Sequence, residues 1–229
     1  MRSIGVEIEM NNITRQNAAT IAAGFFGTNR YEDTRNGYYT IHIGAQGHTP
    51  QSLRNLANIM ASHETLIAEA IKVDYNRMNR FCRTVDPNFL QQLKTMAQLA
   101  DIWYGSQGCT CGRNDHYNSS RYHMLNLHAT FTKGTIEFRL FQFDKPEGGK
   151  KNGLHAGKLK SYIQLCLAMS QMAKDLRSAS PKEQQRENKK FAMRTWLMRM
   201  GFIGDEFATA RETLTQNLSG DNAFRFGRP

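Results

Sequence analysis

Four short segments of this chain alternate between apolar and polar residues, and that alternation constrains the fold more than any other feature. In "IGVEIEM", Ile4, Val6, Ile8 and Met10 fall on one side, and Glu7 and Glu9 fall on the other. In "YTIHIG", Tyr39, Ile41 and Ile43 oppose Thr40, His42 and Gly44. In "LNLHATF", Leu125, Leu127, Ala129 and Phe131 oppose Asn126, His128 and Thr130. In "TIEFRLF", Ile136, Phe138 and Leu140 oppose Thr135, Glu137, Arg139 and Phe141. Side chains two apart share a face of a strand. Each segment therefore reads as a strand with one apolar and one polar face. Such strands fit an antiparallel sheet whose apolar face is covered by helices and whose other face is a concave, wet, charged surface.

The last two segments read as a hairpin. A turn centred on Thr132 and Lys133 pairs His128 with Glu137 and Asn126 with Arg139, because paired residues share a face. Glu7, Glu9 and Glu137 then project from one face with His42 and Arg139. Like charges gathered in a partly buried site call for a cation between them. Hard oxygen ligands suit Mg²⁺ or Mn²⁺. An arginine beside them suits a phosphate or a carboxylate, which its fork grips with two hydrogen bonds. Metal, phosphate and arginine together point to phosphoryl transfer.

Between the strands, helical periodicity dominates. "ITRQNAATIAAGFFG" reads as a helix capped by Thr14 and ended by Gly27. "HTPQSLRNLANIMASHETLIAEAIK" reads as a long helix with Thr49 as cap and Pro50 in its first turn. His63 lies on its apolar stripe and reads as a core histidine rather than a ligand. "DPNFLQQLKTMAQLADIWYG" is expected to be one helix from an Asp86 cap. "LHAGKLKSYIQLCLAMSQMAKDLRSAS" is a strong helix with Leu159, Ile163, Cys166, Met169, Ala173 and Leu176 on one stripe. Two further helices, "KKFAMRTWLMRMGF" with Gly201 beyond its end and "DEFATARETLTQNL", complete a helical C-terminal part over about 154–218, and the tail over 219–229 is expected to fray. The whole of 1–229 reads as one α+β domain.

The composition narrows the function less. No apolar run reaches membrane-spanning length, and the first apolar stretch is broken by Glu7 and Glu9, so it does not read as a secretory leader. The four cysteines do not form a disulfide framework, which favours a reducing cytoplasm. Cys109 and Cys111, with His116 nearby, lack a full zinc-ligand spacing and read as ordinary loop thiols. The formal charge of +10 attracts anions, and it leaves a nucleic-acid-binding protein as the weakest of three functional readings.

The segments "GVEIEM", "IHIGAQGHTPQSLRNL", "SRYHMLNLH", "KGTIEFRLF", "GLHAGKLKSYIQLCLA" and "RTWLMRMGFIGDEFATAR" together resemble the amidoligase family, carboxylate–amine ligases of the glutamine synthetase and glutamate–cysteine ligase superfamily. The resemblance covers nearly the whole chain in order. It implies a glutamine-synthetase-like antiparallel sheet with the active site on one face. It implies ATP and a divalent metal, Mg²⁺ or Mn²⁺. It implies a carboxylate and an amine as substrates, joined as an amide through an acyl phosphate. Carried over residue by residue, Glu7, Glu9 and Glu137 hold metal. Arg139 meets the transferred phosphate or the substrate carboxylate, His42 meets ATP phosphate, and Arg121 and Asn126 contact nucleotide or substrate.

Two departures from the family pattern bear on activity. Thr40 stands where the family carries the first histidine of an H-x-H strand, and a hydroxyl is a poorer ligand for a transition metal. The chain also passes from Gly27 to Tyr38 through a short polar stretch, where the family carries further strands and another metal-holding glutamate. The expected core is thus truncated by an internal deletion. A non-catalytic relic of the fold, binding a nucleotide or a protein, is the second functional reading.

Overall fold

Four strands form one antiparallel sheet in the computed structural model, which describes residues 3–8, 38–86, 93–106, 113–115, 117–142, 156–183 and 187–226. The strands are β1 (Ile4–Ile8), β2 (Tyr38–Gly44), β3 (Leu125–Asn126) and β4 (Thr135–Gln142), in the spatial order β1-β2-β4-β3. The seven described α-helices are α1 (Pro50–Ala70), α2 (Tyr75–Arg80), α3 (Met96–Ser106), α4 (His128–Lys133), α5 (Ala156–Asp175), α6 (Lys189–Arg199) and α7 (Ala208–Thr215). The protein is therefore α+β. The helix expected over "ITRQNAATIAAGFFG" and the Cys109–Cys111 pair with His116 lie outside the described residues.

The apolar face of the sheet forms one wall of the core. Tyr39, Ile41 and Ile43 of β2 and Ile136 and Phe138 of β4 are fully buried. Tyr162 of α5 stacks on Phe141 at 4.8 Å and on Tyr39 at 6.3 Å between ring centroids, which seats α5 against this face. Phe141 was expected on the polar face. It joins the core because β4 carries a β-bulge. Tyr39 pairs with Phe141 and Ile41 with Phe138, so the single residue Thr40 opposes both Arg139 and Leu140. The extra residue shifts the alternation by one and returns Phe141 to the apolar side.

α1 shows how the helical layer is tied together. Thr49 and Ser52 form a reciprocal capping box, and Pro50 opens the helix. The Asn55 amide donates to the carbonyls of Ala173 (3.2 Å) and Leu176 (2.7 Å), satisfying groups that the end of α5 leaves open. Asn217 does the same for the Ala70 carbonyl at the end of α1, at 2.8 Å. His63 is held as its place on the apolar stripe suggests. Its ring stacks on Trp196 of α6 at 4.1 Å, and Nδ1 lies 3.1 Å from the Ile59 carbonyl. Past α7, the chain is bound back to α6, since the Asn188 amide donates to the Phe224 carbonyl at 2.7 Å and Lys190 N donates to the Ser219 carbonyl.

Two sequence expectations are corrected here. The helix expected from Asp86 does not run through Leu93–Thr95. It begins at Met96, where Thr95 Oγ1 accepts from Gln98 N and Gln98 Oε1 accepts from Thr95 N, a second capping box. The expected hairpin is also different. β3 ends at Asn126, and residues 128–133 form α4. A two-residue hairpin turn would require positive φ at Thr132, and in its type I′ form at Lys133 as well, which side chains with a Cβ resist. Gly134 takes that conformation instead, at φ +70°, and its N–H bonds back to the Ala129 and Thr130 carbonyls. The register therefore pairs Asn126, not His128, with Glu137.

Candidate active site

Strand pairing assembles one row of residues on the polar face. Gly5 pairs with His42, His42 with Glu137, and Glu137 with Asn126. The next row along the strands holds Glu7, paired with Thr40, and Thr40 faces the bulge at Arg139. The bulge thus sends Arg139 and Phe141 to opposite sides of the sheet. Gly5 lies directly beside His42, where an added Cβ would make an ordinary contact with the His42 Cβ at 3.6 Å.

The side chains converge on the Glu137 carboxylate. Oε1 accepts from Arg139 Nη1 at 2.5 Å, and Oε2 accepts from Asn126 Nδ2 at 2.6 Å. His42 Nε2 lies 3.9 Å from Oε1. The His42 ring is oriented by two hydroxyls, with Nδ1 at 3.2 Å from Thr135 Oγ1 and Nε2 at 3.3 Å from Thr40 Oγ1. Thr40, where a histidine was expected, acts here as a hydrogen-bonding partner of the remaining one. Glu137 is only 3% exposed, Arg139 9% and Asn126 1%. The face is thus closed over at Glu137, where simple alternation suggests a wet surface. A buried pair of this kind is held by its hydrogen bonds as much as by its charges.

Arg139 is fixed from three further directions. Its guanidinium lies 5.6 Å from the centre of the Tyr122 ring, Nε donates to the Phe81 carbonyl at 3.3 Å, and its own carbonyl accepts from Arg77. Cys82 sits beside these arginines, and burial pushes its thiol up despite their opposing pull. Arg121 lies one ring away, 5.8 Å from Tyr122, so Tyr122 is flanked by two cations. Tyr122 adjoins Arg121 in the quoted "SRYHMLNLH" segment, but nothing in its spacing marks it as a platform for Arg139. Arg77 carries no sequence signal at all, because its role comes from a backbone carbonyl brought to it by the fold.

The expected carboxylate wall is described only in part. β1 brings the Glu7 backbone to Thr40, and Glu9 lies outside the described residues. Among the described residues, no group of three or more His, Cys, Asp or Glu side chains could hold a metal ion. One atom does call for a partner. Asn126 Oδ1 is buried without a hydrogen-bond partner among the described residues, although its own amide nitrogen binds Glu137. An orphaned amide oxygen beside a carboxylate and an imidazole is a donor set that fits a hard divalent cation.

A family model described as "Putative amidoligase enzyme" matches residues 33–170, more than half of the chain. The matched span holds β2, β3 and β4, and with them His42, Arg121, Asn126, Glu137 and Arg139; β1 precedes it. No curated protein and no solved structure matches the chain.

Proposed function

The chain belongs to the amidoligase family, and we propose that it is an ATP-dependent carboxylate–amine ligase acting on the polar face of its sheet. The observation that carries this reading is the Glu137 carboxylate held between Arg139, Asn126 and His42 inside the matched span. Glu137 and the Asn126 amide oxygen would hold Mg²⁺ or Mn²⁺, with Glu7 and Glu9 of the N-terminal segment as further carboxylates. ATP supplies the phosphoryl group that turns a substrate carboxylate into an acyl phosphate, from which an amine displaces phosphate to give the amide. Arg139 neutralises charge on the transferred group or grips the substrate carboxylate, and the Tyr122 ring and Phe81 carbonyl keep its fork aligned. His42 donates towards a nucleotide phosphate, and Thr40 and Thr135 set its ring. Arg121 and Asn126 contribute substrate or nucleotide contacts. Burial around Glu137 strengthens each of these electrostatic contacts.

The test is release of ADP from ATP with Mg²⁺ or Mn²⁺ and pooled amines and carboxylates. Hydroxylamine serves as a trapping amine, because its attack on an acyl phosphate leaves a hydroxamate. Arg139→Lys keeps the charge but loses the fork, and turnover is expected to fall about 100-fold. A folded chain that releases no ADP above background overturns the reading. One observation favours the second reading, a non-catalytic binding module: both oxygens of Glu137 are already engaged by protein groups. On that reading nucleotide binds, but no hydroxamate forms.

A further inference from the structure

A cavity of about 800 Å³ lies within the helical layer, between α1, α6, the segment after α5 and the C-terminal residues that Asn188 binds back. Among the described residues, no strand contributes to its lining. α5, which reaches it through Met172, packs by Tyr162 on the apolar side of the sheet. The cavity is therefore on the opposite side of the sheet from Glu137. Apart from Ile59, Ser62 and His63, every lining residue falls beyond residue 170, past the end of the family match.

Its walls are of two kinds. One is aromatic: the indole of Trp196 stacked on the His63 ring, with Phe191 beside it. That stack holds Trp196 rigidly with only its edge open, and the half-buried Phe191 and the exposed Phe226 supply the rest of the apolar surface. The other is cationic: Lys182, Arg199 and Arg225, against one carboxylate, Glu187, among the described residues. The three cations are solvent-exposed at the cavity and bring an excess of positive charge to its mouth. A volume of this order accommodates a small organic molecule.

We propose that this cavity is a second binding site, for a small planar aromatic anion, independent of the ligase site. The aromatic wall takes the ring of such a ligand, and the guanidinium and ammonium groups take its acid group. The overall charge of +10 favours the approach of an anion. A neutral ligand of the same shape would gain only the apolar wall.

The experiment titrates the full chain with naphthalene-2-sulfonate and, separately, with the uncharged naphthalene-2-sulfonamide, following indole fluorescence. The other tryptophan, Trp103, is fully buried and bonded to Ser120, so Trp196 is the reporter at the cavity. The sulfonate is expected to bind saturably and the sulfonamide about tenfold more weakly, a difference of the size expected for one charge-assisted contact. Arg199→Glu should weaken the sulfonate by about tenfold or more. Lys182→Glu is a second, equally exposed charge reversal, and melting curves confirm that each variant is folded. Glu137→Gln, across the sheet, should leave sulfonate affinity as it is. Equal binding of the two naphthalenes, or an affinity untouched by both charge reversals, overturns the proposal.

Discussion

Glu64 lies on the buried side of α1, where its Oε2 accepts the Val85 amide at 2.8 Å. Burial pushes its carboxyl up to about 8 from an ordinary 4.5; the Val85 bond opposes this, and nearby Glu183 adds to it. A raised carboxyl pKa means that the folded state binds more protons than the unfolded chain between those values. Stability from this group is therefore full below about pH 4.5 and falls as pH rises towards 8. Glu64→Gln keeps an acceptor for Val85 without the charge. It should raise stability at pH 8 by roughly 1–3 kcal/mol and change it little at pH 4.5, measured by urea denaturation at both. His123 has the opposite sign: burial lowers it to about 4, so stability is lost as pH falls from about 6.5 to 4. Glu137 poses a different problem. Glu137→Ala would strand the buried Arg139 guanidinium and should cost about 3–5 kcal/mol, whereas Glu137→Gln keeps an acceptor and should cost less. Comparing the two by thermal melting checks that the carboxylate is structural as well as functional.

Among the elements, α4 is the most sensitive to one position. Gly134 has φ +70°, and a Cβ there would meet nothing within 4 Å, so its constraint is purely conformational. Gly134→Ala should destabilise the fold by about 1–2 kcal/mol with no steric clash, and Gly134→Asn by less, as denaturant midpoints would show. The same glycine explains where pattern reading fell short. Alternation identified the strands and put His42, Asn126, Glu137 and Arg139 on one face, because burial of one face is a period-two property. It could not distinguish "HATFTKG" as strand and turn from a single helical turn closed by glycine, since six residues carry too little periodicity. It also missed the bulge at Arg139–Leu140. An extra residue shows in the sequence only as a break in alternation, and the adjacent apolar pair Leu140–Phe141 is such a break, but without Tyr39 opposite it does not distinguish a bulge from an apolar residue on the polar face. The Thr95–Gln98 capping box was legible in "TMAQ", but the longer pattern from Asp86 overrode it. The helices with broad apolar stripes, α1 and α5, were the easiest to read, because their burial extends over many turns.

For the molecule as a whole, the sheet separates two surfaces with different chemistry. One side carries the polar row centred on Glu137, and the other carries the helical layer with its cationic cavity. The excess of thirty Lys and Arg over twenty Asp and Glu gives the entire chain a pull on anions. At Glu137 and Arg139, however, the local charges cancel. Neither a cation nor an anion alone finds a vacant countercharge there, because each would have to break the ion pair and leave its other member exposed to nothing. Ligands of opposite sign arriving together relieve both. The pair should therefore act as a coincidence detector. Calorimetry is expected to show Mg²⁺ binding at least about tenfold more tightly in the presence of nucleotide than without it, and nucleotide gaining equally from Mg²⁺. Arg139→Gln should abolish that mutual gain, since the carboxylate would then be open to the cation from the start.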